Sequence, residues 1–149
     1  MGTELASANV NRAYSLAATS IAIFTFTLFF MYPRYLSGQA NPLLFHAVLV
    51  VIGVASFSFV FSSFYYYCAS MDGRNDDAER ALYSRRGDRL WLLGITALFL
   101  DPSLILFAVR LVFVGSVWLA LWLVYLLFVI RWFPRAQTVL PRTESPPVS

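Results

Sequence analysis

Three long apolar runs dominate the chain: Ala13 to Tyr32, Leu43 to Ser70 and Leu90 to Ile130. Runs of about 18 or more apolar residues are typical of membrane-spanning helices. As one helix the last run would be about 60 Å long, roughly twice the ~30 Å hydrocarbon core of a bilayer, so it must form two spans. The pattern predicts an all-α integral membrane protein, a four-transmembrane-helix bundle built as two antiparallel helical hairpins.

Two positions compete for the turn between spans three and four. Division by length favours Arg110, which lies midway along the last run. Local chemistry favours Asp101-Pro102, because an acidic N-cap followed by proline is typical of a helix start, whereas residues 108–111 contain no helix breaker. We adopt the second alternative. The predicted spans are therefore residues 13–32, 43–68, 87–100 and 102–132, within a membrane domain of residues 13–133.

The segments outside the spans are short. Residues 1–12 are small and polar and are predicted to be a flexible cytoplasmic N-terminus, and the proline-rich residues 134–149 a disordered cytoplasmic tail. The first run is longer than the 7–15-residue core of a signal peptide, so we expect it to be retained. Pro33 should end span one, and Asn41-Pro42 should begin span two.

The stretch between spans two and three is the only charged stretch of any size in the sequence. Acidic residues come first and basic residues last, with Gly87 directly after them, which matches the helix dipole and helix stop signals. This order predicts a short charged cytoplasmic helix from Asp76 to Arg86, either separate from span three or an extension of it.

Composition excludes a soluble globular fold and a nucleic-acid-binding domain. The chain of 149 residues is 59% hydrophobic and 13% charged, against about 45–50% and 25% in soluble domains. All eleven basic residues are arginine. With four spans, nine of them fall on the side of the termini and only Arg34 and Arg110 on the other. The positive-inside rule then predicts a multi-pass cell-membrane protein with both termini in the cytoplasm.

Catalytic and metal-binding patterns are missing from the sequence. It contains one cysteine and one histidine, no glycine-rich phosphate loop and no nucleophile motif. We therefore predict that the protein is not an enzyme and uses no cofactor and no metal. The expected partners are the lipid bilayer and either further copies of the chain or a larger membrane complex, but no nucleic acid.

Three ionisable residues near the outer end of the predicted bundle form a hypothetical binding cluster: His46, Asp101 and Arg110. Charges inside a membrane are costly and usually face a bundle interior or a wet cavity. The cluster would suit a small oligomeric channel or transporter. The alternative is that Asp101 caps a helix, His46 bonds at the interface and Arg110 reaches lipid headgroups. We favour a non-enzymatic protein that acts by association, as an accessory subunit or a self-associating envelope protein.

Overall fold

The structure is a computed structural model that describes residues 2–71 and 77–138, with side chains for residues 8–71 and 78–131. It is helical, with α1 at Gly2–Leu36, α2 at Pro42–Ser70, α3 at Asp77–Ala108 and α4 at Val112–Thr138. Each helix contains a stretch long and apolar enough to cross a membrane: Ala8–Leu36, Pro42–Ser70, Ala78–Ala108 and Val112–Arg131. Four such helices indicate a membrane protein.

The turn between α1 and α2 follows from local chemistry. Gly38 has a φ of 71°, a left-handed conformation that glycine adopts without steric cost. The amides of Gly38 and Gln39 donate to the carbonyls of Tyr35 and Arg34, which is the Schellman pattern of a helix C-terminus. The side chain of Asn41 then accepts hydrogen bonds from the first amides of α2, as predicted for an N-cap.

Three predicted boundaries are wrong at the start and end of helices. α1 begins at Gly2 rather than Ala13, so the segment predicted to be flexible is helical from residue 2 onwards. Pro33 lies inside the last turn of α1, which continues to Leu36. Gly87 does not end a separate charged helix, because α3 runs without a break from Asp77 to Ala108, and residues 77–86 extend the third span as in the other alternative. Asp76 and residues 139–149 of the predicted tail lie outside the described residues.

The predicted turn at Asp101-Pro102 is also wrong, and the division by length is right. Pro102 lies inside α3, and the chain reverses at residues 109–111. Arg110 takes the left-handed position of a second Schellman turn, with a φ of 65°. Its amide donates to Phe107 and the amide of Leu111 to Leu106. A turn at residue 101 would have left a third span too short for a bilayer, and this length requirement outweighs the local preference.

Buried residues follow a seven-residue repeat along α1, α2 and α3, the spacing of left-handed helix packing. On α1 the buried positions include Ala13, Ala17, Ser20, Thr27 and Met31. On α2 they include Phe45, Val48, Ile52, Ala55, Phe59, Ser62 and Tyr66. On α3 they include Gly87, Gly94, Asp101 and Ala108.

The helices pack in chain order rather than as two separate hairpins. α2 contacts both α1 and α3, its contact with α3 is the most extensive, and α4 contacts α3. Neighbouring helices are antiparallel: Ala17 packs with Phe59, whereas Met31 packs with Phe45 at the other end of α2. The described helices therefore form a core of α1, α2 and α3, with α4 attached to the outside of α3.

Candidate functional site

The candidate site in the bundle interior depends on how α2 and α3 are matched. Along α3, Gly87 lies against the ring of Tyr66 and Gly94 against the ring of Phe59. Seven residues further along α3, the same register aligns Asp101 with Ile52 of α2. After seven more residues, Ala108 packs with Phe45, which continues the pattern. Asp101 is therefore carried into the interior by its position on the buried stripe of α3.

Asp101 is a buried acid without a complete set of partners. Only 2% of its surface is exposed, and its Oδ1 atom makes no hydrogen bond. The next residue, Pro102, has no amide hydrogen, so the carbonyl four residues before it loses its usual helical partner. Asp101 lies about 10 Å along the helix from Ala108. An ionisable group at such a depth in a membrane span is costly and therefore marks a candidate functional position.

Other polar groups on this part of α3 bond to α4 instead. The hydroxyl of Ser103 donates to the carbonyl of Gly115 over 3.0 Å. The indole of Trp122 donates from Nε1 to the carbonyl of Thr96 over 2.9 Å. These bonds satisfy polar groups that would otherwise face hydrocarbon, and they fix α4 against the outer side of α3.

His46 lies near the end of the bundle and is exposed. Its Nδ1 atom is 2.7 Å from the carbonyl oxygen of Pro42, which can only accept, so the hydrogen bond requires a proton on Nδ1. The imidazole also makes edge contacts with the rings of Tyr35 and Phe45, with centroids 5.7 and 5.6 Å apart. These contacts hold the ring at the surface of the α1–α2 turn.

The three residues of the predicted cluster are not brought together. The α1–α2 and α3–α4 turns lie side by side, because the amide of Asn41 donates to the carbonyl of Ala108. His46 and Arg110 thus share one end of the bundle, and Arg110 is exposed in its turn rather than deep in a span. Asp101 lies two helical turns further in. Among the residues with described side chains, no ion pair connects the three.

A polar cavity lies at the opposite end of the bundle and was not predicted. It has a volume of about 160 Å³ and is lined by Asn9, Arg12, Tyr66, Asp88 and Trp91. The phenol of Tyr66 donates to a carboxylate oxygen of Asp88 over 2.6 Å. In sequence, Arg12 and Asp88 were ordinary charges beside apolar runs, and nothing in their spacing revealed that one cavity joins them. We call this space the interfacial cavity.

Comparison with models of protein families, with curated proteins and with solved structures finds no match for this chain. Among the described residues, no group of three or more His, Cys, Asp or Glu side chains is arranged to hold a metal ion. The function proposed below therefore depends on the geometry of this chain alone.

Proposed function

We propose that the protein acts by association within the membrane, through contact between α4 and the α4 helix of a second copy. The exposure of α4 carries this proposal. Among residues 112–131, whose burial the structure describes, Gly115 alone is buried. Large apolar side chains cover the rest of this segment, including Leu123 at 47% and Leu127 at 68% exposure. The helix thus has a wide surface available for another helix.

One stripe of this surface has the spacing that a helix partner requires. Ser116, Ala120, Leu123 and Leu127 recur at alternating intervals of four and three residues, as does the buried stripe of α2, and all four are exposed. Small residues four apart allow two helix backbones to approach closely, and the two leucines add apolar contact beyond them. Two copies related by a twofold axis would bring this stripe against itself.

Cysteine cross-linking tests the association, using Leu123→Cys and Leu121→Cys in a Cys68→Ser background. Leu121 and Leu123 are the same residue type, lie about 3 Å apart along α4, are both exposed, and point to nearly opposite flanks. We expect Leu123→Cys to form a disulfide-linked dimer in membranes and Leu121→Cys to remain a monomer. Equal cross-linking of the two variants, or none in either, would contradict the proposal.

A second candidate function is proton or small-ion transfer across the membrane, and Asp101 is the observation that favours it. A buried carboxyl group with an unbonded oxygen atom is able to bind and release a proton within the span. Asp101, rather than the exposed Arg110, is then the first residue to replace in a transport assay. The bound species would be a proton or a small cation, because a carboxylate attracts positive charge.

Flux measurements in liposomes test this candidate with the pair Asp101→Asn and Ser103→Ala. Asn keeps the size of the side chain but cannot titrate, whereas Ser103→Ala removes a buried hydrogen bond of the same helix without changing a titratable group. Transport predicts pH-gradient-driven flux that Asp101→Asn abolishes and Ser103→Ala retains. Wild-type flux no higher than that of empty liposomes, or equal flux in both variants, would exclude this role.

We further propose that the protein spans the cell membrane with both termini in the cytoplasm. Support comes from the arginines, since Arg34 and Arg110 belong to one end of the bundle and the remaining nine to the other side of a four-span chain. Reporter fusions within residues 37–41 and after Thr143 should report opposite sides of the membrane. Reporters on the same side would contradict the four-span topology.

A further inference from the structure

The interfacial cavity combines opposite charges without neutralising them. Arg12 on α1 and Asp88 on α3 both line it, yet no ion pair within 4.0 Å joins the guanidinium to the carboxylate. Asn9 and Trp91 add an amide and an indole to the wall. The cavity therefore offers a cationic group, an anionic group and hydrogen-bonding side chains to a small ligand that carries both charges.

The carboxylate of Asp88 is held in place from α2. Tyr66 is 5% exposed and donates its phenol hydrogen to Asp88 Oδ1. The ring of Tyr66 also lies against Gly87, where an added Cβ would come within 2.9 Å of it. The ring is confined, so the Asp88 carboxylate has a fixed orientation. One hydrogen bond from Tyr66 leaves acceptor sites of the carboxylate for a ligand.

The cavity lies at the level where a membrane meets water. On α3, the charged stretch ends at Arg89, directly after Asp88, and the apolar run begins at Leu90. On α1, Arg12 directly precedes the apolar run. Tyr66 lies about 6 Å from the end of α2 at Ser70. Tryptophan and tyrosine are enriched at this level of a membrane, where lipid headgroups carry their charges.

We propose that the interfacial cavity binds a phosphate ester bearing a primary ammonium group, the chemistry of an ethanolamine phospholipid headgroup. Arg12 binds the phosphate oxygens, for which a guanidinium is well suited. Asp88 accepts hydrogen bonds from the ammonium group. A volume of about 160 Å³ suits such a group and not a whole lipid. A quaternary ammonium has no hydrogen to donate to Asp88, and a glycerol headgroup has no positive charge.

The test measures binding of the purified full-length protein to three lipids in detergent: phosphatidylethanolamine, phosphatidylcholine and phosphatidylglycerol. We expect phosphatidylethanolamine to bind at least tenfold more tightly than the other two. Arg12→Gln and Asp88→Asn should each reduce its affinity about tenfold or more, because each removes one charge-assisted contact. Arg34→Gln is the matched control, since Arg34 lies at the other end of α1 over the ring of Phe30.

The same measurement with free phosphoethanolamine distinguishes the source of the ligand. Binding of the free compound that competes with the lipid supports a soluble ligand, and binding of the lipid alone supports a headgroup; either result agrees with the proposed chemistry. Equal affinity for all three lipids would overturn the proposal. Unchanged affinity for phosphatidylethanolamine in folded Arg12→Gln and Asp88→Asn proteins, or an equal loss in Arg34→Gln, would overturn it as well.

Discussion

Replacement of Gly94 by alanine probes the contact that sets the depth of Asp101. A Cβ at residue 94 would lie 2.8 Å from Cε1 of Phe59 and 3.0 Å from Cδ1 and Cζ. The ring is unable to move away, because Phe59 is fully buried and packs with Ala17 and Ala55. Gly53 is the matched control, since it lies within α2 and an added Cβ there meets no atom within 4 Å.

The expected change in the free energy of unfolding of Gly94→Ala combines two effects of opposite sign. Alanine is favoured over glycine inside a helix by about 0.8–1.0 kcal/mol, a gain that both variants share. Overpacking a well-packed core costs about 1–3 kcal/mol, and of the two variants only Gly94→Ala overpacks the core. We therefore expect Gly53→Ala to stabilise the protein by about 1 kcal/mol. Gly94→Ala should be less stable than Gly53→Ala by about 1–3 kcal/mol.

Thermal unfolding of the two purified variants in the same detergent measures this difference. For a chain of this size, about 1 kcal/mol corresponds to 2–4 °C in Tm, so the two Tm values should differ by roughly 2–12 °C. Phe59→Leu in the Gly94→Ala background should recover part of the loss, because it makes room for the added methyl group. Equal Tm shifts in Gly53→Ala and Gly94→Ala would refute the register between α2 and α3.

Substitutions at three further positions test the turns and the attachment of α4. Arg110→Gly should stabilise the protein by about 1 kcal/mol and raise its Tm, because Arg110 has a left-handed backbone conformation that glycine adopts without steric cost. A lower Tm would mean that the arginine side chain itself stabilises the turn. Asn41→Ala should lower the stability by about 1 kcal/mol because it removes the N-cap of α2, whereas Asn41→Ser should retain most of the wild-type stability. An unchanged Tm in Asn41→Ala would contradict the role of Asn41 as a cap. Trp122→Phe should remove the indole hydrogen bond from α4 to the carbonyl of Thr96 and increase proteolysis or hydrogen exchange in α4. Exchange equal to wild type would show that this bond does not hold the helix.

The error at Asp101-Pro102 shows where local sequence chemistry is insufficient. An acidic residue followed by proline is a common helix start, but the same pair is compatible with a helix that continues. Arg110 has no local signal for a turn, since non-glycine residues rarely adopt a positive φ. The length of hydrocarbon that each span must cross, and the packing of Ala108 against Phe45, outweighed both preferences.

The sequence alone determined the helical class, the presence of four apolar spans and the turn at Asn41-Pro42. These features depend on hydrophobic length and on local hydrogen bonding, which residues close in the chain supply themselves. The tertiary structure decided which polar residues share a site. It separated Asp101 from His46 and Arg110, and it joined Arg12 to Asp88 across one cavity. Such pairings depend on the register between helices, which the close contacts of Gly87 and Gly94 with aromatic rings of α2 set.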